Sequence, residues 1–139
     1  PQDRVLVASH RGRNRPSRAF EEALRRSGPL PRLEVFAEMD CPDCAVLVPW
    51  LEALVRLRPD ADLLFRPREG HEELLRLRSG EARIPTVAAW GDAPRPEGLF
   101  VERPGAIREG GEAVVEAYRS GVFAEDLERE LLRLLGAGA

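Results

Sequence analysis

The chain contains no lysine: all 21 of its basic residues are arginine. That one-sidedness reads as a high-GC coding bias and differs from the lysine and glutamate enrichment of hyperthermophile proteins. Cysteine is nearly absent, with two in 139 residues. A disulfide framework needs more of them, more widely spaced, and is excluded. No apolar run approaches the roughly 20 residues of a membrane span. No basic, then apolar, then small-residue segment opens the sequence, so the expected compartment is the cytoplasm. The net charge of −3 supplies no broad positive field. Neither nucleic acid nor a membrane is therefore expected as a partner.

What is present suits one globular domain. Hydrophobic residues make up 43 %, above what a disordered chain carries. Val5-Leu6-Val7 reads as a short strand or an ordered arm, and Arg11 to Arg15 as a polar loop. Ser17 can cap a helix from Arg18 to Arg26, with Phe20, Ala23 and Leu24 on one face and Gly28 beyond its end. Leu33 to Ala37 reads as a strand. From Cys41 to Leu57 apolar residues recur at helical spacing until Pro59-Asp60. A strand over Ala61 to Arg66 follows, then a helix with Leu74, Leu75 and Leu77 that stops at Ser79-Gly80. Thr86 to Trp90 and Leu99 to Glu102 read as strands joined by a Pro- and Gly-rich turn. Glu112 to Leu135 reads as helix, broken near Ser120-Gly121. This alternation predicts an α/β fold with a mixed sheet. The expected division is an N-terminal extension over 1–32 and one domain over 33–139.

The chemistry is concentrated in Cys41-Pro42-Asp43-Cys44. A strand before it and a helix after it put Cys41 at a helix N-terminus, where unpaired N–H groups and the helix dipole favour a thiolate. The thiolate is the form that attacks a disulfide. Cys44 lies one turn on, close enough to close a disulfide. Cys41 is thus the expected nucleophile and Cys44 the resolving thiol. Zinc would need four ligands, and the two histidines, His10 and His71, have no finger-like spacing. No metal and no cofactor beyond a redox-active Cys41–Cys44 disulfide is expected. An inert structural cysteine pair is the other alternative.

With these residues in place, the sequence resembles the thioredoxin superfamily. Cys41-Pro42-Asp43-Cys44 follows a strand directly, Pro49 stands five residues after Cys44, and Ile84-Pro85-Thr86 occupies the place of the family's Ile-Pro-Thr loop. The likeness covers about Leu33 to Leu135. It is closest to a bacterial thioredoxin-like subgroup with a helical N-terminal extension, through Asp40-Cys41, Gly80 to Pro85, and Arg103-Pro104. The resemblance implies a central mixed four-stranded sheet flanked by helices. It also implies a cis bond before Pro85 and a loop packed against the cysteines. Ile84, Pro85, Thr86 and Gly105 would then contact substrate, with the Ile84 backbone free to pair with a bound strand.

Two positions depart from that pattern. Asp40 stands where the family has Trp, and Val35 where it has a buried Asp that relays protons. Strand alternation turns the neighbouring Glu34 to the other face. An efficient relay to Cys44 is therefore not expected. Glu38, Asp40 and Asp43 crowd the attacking sulfur, each worth about 1 kcal/mol of repulsion at 4 Å in water. A helix end opposes them by about 0.3–1 kcal/mol, so Cys41 is expected near a free thiol and the pair to act as a reductant. The expected activity is reduction of protein or low-molecular-weight disulfides, with a separate reductase recycling the pair. A redox-inactive binding or chaperone-like module on the same fold is the alternative.

Overall fold

The computed structural model describes residues 14–137. Val5-Leu6-Val7 and His10 lie outside them. Four strands form one sheet in the order β2-β1-β3-β4. They are β1 (Arg32–Phe36), β2 (Leu63–Arg66), β3 (Thr86–Trp90) and β4 (Gly98–Val101). β1 pairs parallel with β2, Leu33 opposite Leu63, and antiparallel with β3, Val35 opposite Val87. β3 and β4 form an antiparallel hairpin with Val87 opposite Phe100. Five helices flank the sheet: α1 (Arg18–Arg26), α2 (Pro42–Leu57), α3 (Glu72–Ser79), α4 (Glu112–Arg119) and α5 (Ala124–Leu135). This is the expected mixed α/β architecture.

Alternation along β1 divides the interior. Leu33 and Val35 face the main core with Val46, Leu47 and Trp50 of α2 and Leu127 and Leu131 of α5. Phe36 turns to the other side, against Leu75 of α3, Ile84 and Cys44. Glu34 shares that second face and is 4 % exposed. A bare carboxylate there would be costly. It is met by Arg66 Nε at 2.6 Å, Arg78 Nε at 2.7 Å and Trp90 Nε1 at 3.3 Å. The Arg78 guanidinium also lies 4.7 Å over the Trp90 ring.

The expected helix ends are present. Ser17 accepts the Phe20 N–H as the α1 N-cap, and Gly80 closes α3 in the left-handed region at φ 80°. The last helical stretch breaks at Ser120–Phe123, where Gly121 takes φ 100°. Leu77 is exposed, because α3 needs only Leu75 and part of Leu74 to cover its side of the sheet.

The segment before residue 33 shares the main core, since Phe20 and Leu24 of α1 are fully buried in it. Glu128 of α5 ties it down, accepting from Ser17 N and Ser17 Oγ at 2.6 Å each and from the Trp50 indole at 2.9 Å. Asn14, also buried, donates to the Arg119 carbonyl at the end of α4. Among the described residues no helix is long and apolar enough to cross a membrane.

Candidate active site

β1 ends at Phe36, and the chain turns through Ala37 to Asp40 before α2 begins. Cys41 is the N-cap of α2, and Pro42 occupies the first helical turn, where its missing N–H is harmless. The Cys41 sulfur does the work that a serine oxygen does at most helix starts: it accepts the Cys44 N–H at 3.2 Å. Both cysteines are free thiols, Cys41 half-buried and Cys44 6 % exposed. The accessible sulfur is thus the one at the helix start.

The Ile84–Pro85 bond is cis, and the Cys41 thiol points at the Ile84 carbonyl 3.9 Å away. This loop is braced from behind. The Pro85 carbonyl accepts the Glu102 N–H at 2.6 Å, and Glu102 reaches it with φ 66°, a left-handed conformation rare outside glycine. Thr86 Oγ1 donates to the Arg83 carbonyl at 2.8 Å. Thr86 is fully buried, so its hydroxyl shapes the loop from within. Gly105, also expected in the substrate loop, opens a short 3-10 turn and gives its N–H to Glu130 of α5 at 2.6 Å. The geometry therefore brings together Cys41, Cys44, Ile84 and Pro85, while Thr86 and Gly105 are held by internal bonds.

An apolar groove of about 540 Å³ runs from Cys44 and Pro85 past Met39 and Val48 to Phe65. Met39 and Phe65 are 78 % and 59 % exposed along it.

The acids differ from one another. Asp40 is exposed, and Glu38 accepts the Glu69 N–H at 3.0 Å. Asp43, expected to crowd the sulfur as an uncompensated charge, is 4 % exposed and doubly paired. Arg119 Nε lies 3.0 Å from Oδ1, and Arg103 Nη2 lies 3.3 Å from Oδ2. Sequence separation hid both arginines, because nothing local links Asp43 to a residue 76 positions away. Arg103 was visible only as part of the Arg-Pro likeness. Arg83 pairs with Glu81, Glu102 and Glu109.

These surroundings move the two thiols apart. The hydrogen bond from the Cys44 side chain pulls Cys41 below its ordinary value, helped by the Cys44 and Asp43 N–H groups. Burial and the Asp43 charge oppose that pull without reversing it. Cys44 is pushed far up, first by Cys41 and then by burial. One thiol is thus prepared to ionise while the other keeps its proton. The expected near-cancellation gives way to a net fall for Cys41, because the hydrogen bond from the Cys44 side chain, with the Cys44 and Asp43 N–H groups, outweighs burial and the Asp43 charge.

Among the described residues no group of three or more His, Cys, Asp and Glu side chains is placed to hold a metal ion. His71 occupies the N-cap position of α3 without a side-chain cap bond, its Nδ1 lying 2.9 Å from the Pro67 carbonyl.

Comparison with known proteins agrees with this geometry. A family model described as thioredoxin matches residues 6–118. A crystal structure of a protein of unknown function from Pseudomonas aeruginosa is 31 % identical, with a TM-score of 0.79, covering 99 % of this chain and 86 % of that one. An HIV epitope-scaffold is also 31 % identical, with a TM-score of 0.78 over the same shares. No curated protein matches the chain. With most of its length matched by the family model and a cysteine pair set against a cis-proline loop, the chain belongs to the thioredoxin family.

Proposed function

We propose that the protein is a cytoplasmic thiol–disulfide oxidoreductase that reduces disulfides with the Cys41–Cys44 pair. The observation that carries this reading is the asymmetry of the two sulfurs. Cys41 is accessible, accepts the Cys44 N–H at 3.2 Å and faces the Ile84 carbonyl, while Cys44 lies buried behind it. The Cys41 thiolate attacks one sulfur of a substrate disulfide and expels the other as a thiolate, leaving a mixed disulfide. Cys44 then loses its proton and attacks the Cys41 sulfur, which releases the second substrate thiol. The substrate gains two electrons, the pair becomes a disulfide, and a dithiol reductase must return it to the dithiol state. Ile84 is itself buried beside Cys41, and the apolar groove along Pro85 supports a substrate disulfide carried on a polypeptide.

One observation favours the alternative of a binding module without redox turnover. Val35 is fully buried where a relaying carboxylate would stand, and Glu34 is spent on Arg66 and Arg78 across the sheet. Turnover of a protein disulfide by dithiothreitol separates the two. Cys41→Ser is expected to abolish it, and Cys44→Ser to stop after one attack with a mixed disulfide on Cys41. Wild-type protein that binds unfolded chains but never turns over would overturn the enzymatic reading. Alkylation of Cys44 ahead of Cys41 would overturn the assigned roles.

A further inference from the structure

A buried carboxylate between two redox thiols is a liability. It loses hydration, and it repels the thiolate that the site must form. Asp43 is in that position, and the fold meets it with two guanidinium groups brought from distant elements. Arg119, the last residue of α4, holds Asp43 through Nε to Oδ1 at 3.0 Å and Nη2 to Oδ2 at 3.3 Å, a two-point grip that fixes the carboxylate plane. Arg103, just after β4, adds Nη2 to Oδ2 at 3.3 Å but also pairs with Glu102 at 3.2 Å. Arg119 is itself anchored at its backbone, where its carbonyl accepts from buried Asn14 at 3.1 Å. Its positive charge is felt at Cys41 as well as at Asp43.

We propose that Arg119 is a positioning residue of the redox site, clamping Asp43 so that this buried carboxylate repels the Cys41 thiolate less than it would unpaired. The inference rests on the thiol–disulfide reading above. The other charged and titratable groups facing the Asp43–Arg119 pair are Cys41 and Cys44 of α2, Glu116 and Tyr118 of α4, and Arg103 with its partner Glu102 after β4. Among the described residues only the Arg119–Asp43 pair is joined at two points beside the cysteines. Removing the guanidinium therefore leaves the Asp43 charge half-compensated, and removing the carboxylate leaves a positive excess.

The test measures the pH dependence of Cys41 alkylation by iodoacetamide in the full chain, with mass spectrometry to confirm the site. Arg119→Gln is expected to move the midpoint upward and slow alkylation at neutral pH about tenfold, which is one pKa unit. Arg119→Lys restores most of the rate, as a packing role would not require. Asp43→Asn moves the midpoint downward, and the double variant returns close to wild type. An unchanged midpoint in Arg119→Gln, or a double variant as slow as that single one, overturns the clamp. If Arg119→Gln does not fold, Asp43→Asn decides alone: an unchanged or raised midpoint overturns it. Dithiothreitol-driven turnover of wild type is followed in parallel. Midpoints that shift as expected in a protein without turnover defeat the enzymatic reading and leave the clamp standing. Turnover with unshifted midpoints defeats the clamp only.

Discussion

Glu128→Ala tests how the N-terminal helix is joined to the thioredoxin fold. Glu128 is 9 % exposed and accepts three hydrogen bonds, from Ser17 N, Ser17 Oγ and the Trp50 indole. A hydrogen bond to a charged group contributes about 1.5–3 kcal/mol, but the losses are unequal. Ser17 is exposed and can turn to water. Trp50 is 1 % exposed, so its N–H is left buried without an acceptor, a penalty of about 1–3 kcal/mol. Freed from dehydrating a carboxylate, the variant recovers part of this. A net loss of about 3 kcal/mol is expected, which for a domain of this size lowers Tm by about 10 °C. Ser17→Ala removes the α1 cap and should cost about 1 kcal/mol. Because the two residues share bonds, the double variant should lose less than the sum, by about 1 kcal/mol. Urea denaturation followed by tryptophan fluorescence and by circular dichroism measures all three. A loss below about 1 kcal/mol for Glu128→Ala would refute the reasoning, since it would mean the Trp50 N–H is satisfied without Glu128.

Glu34 should make stability acid-sensitive. Burial raises its pKa, but Arg78 and Arg66 together outweigh burial and hold it below its ordinary 4.5. A depressed carboxyl contributes stability that is present above the ordinary value and lost as pH falls through the lowered one. Denaturation of wild type should weaken over that acid range, and Glu34→Gln should be less stable at neutral pH by about 1–3 kcal/mol with a flatter profile. Equal slopes for the two proteins would refute it. Tyr118→Phe should be neutral or slightly stabilising in urea melts, because the Tyr118 hydroxyl is buried with no hydrogen-bond partner among the described residues. A loss above about 1 kcal/mol would point to a bridging water as its partner.

The local signals of the chain sufficed for the elements and for the Cys41–Cys44 pair. Ser17, Gly80 and the Ser120-Gly121 break act within one or two turns of chain, through backbone groups that a cap or a left-handed residue satisfies where it stands. The same holds for Cys41 and Cys44, whose three-residue spacing and helix-start position are local geometry. Period-two alternation in β1 likewise turned Glu34 away from Val35 before any partner was known. What only the tertiary structure decided is where charge is compensated. Asp43 reads from sequence as a repelling loop acid, and becomes a buried, paired one because α4 and the segment after β4 deliver Arg119 and Arg103 to it. Thr86 and Gly105 read as substrate contacts, and are claimed by the Arg83 carbonyl and the Glu130 carboxylate. Electrostatic energy depends on distance and burial, and the fold brings such partners together from 76 residues apart for Asp43 and 25 for Gly105. No periodicity or spacing along the chain encodes that meeting.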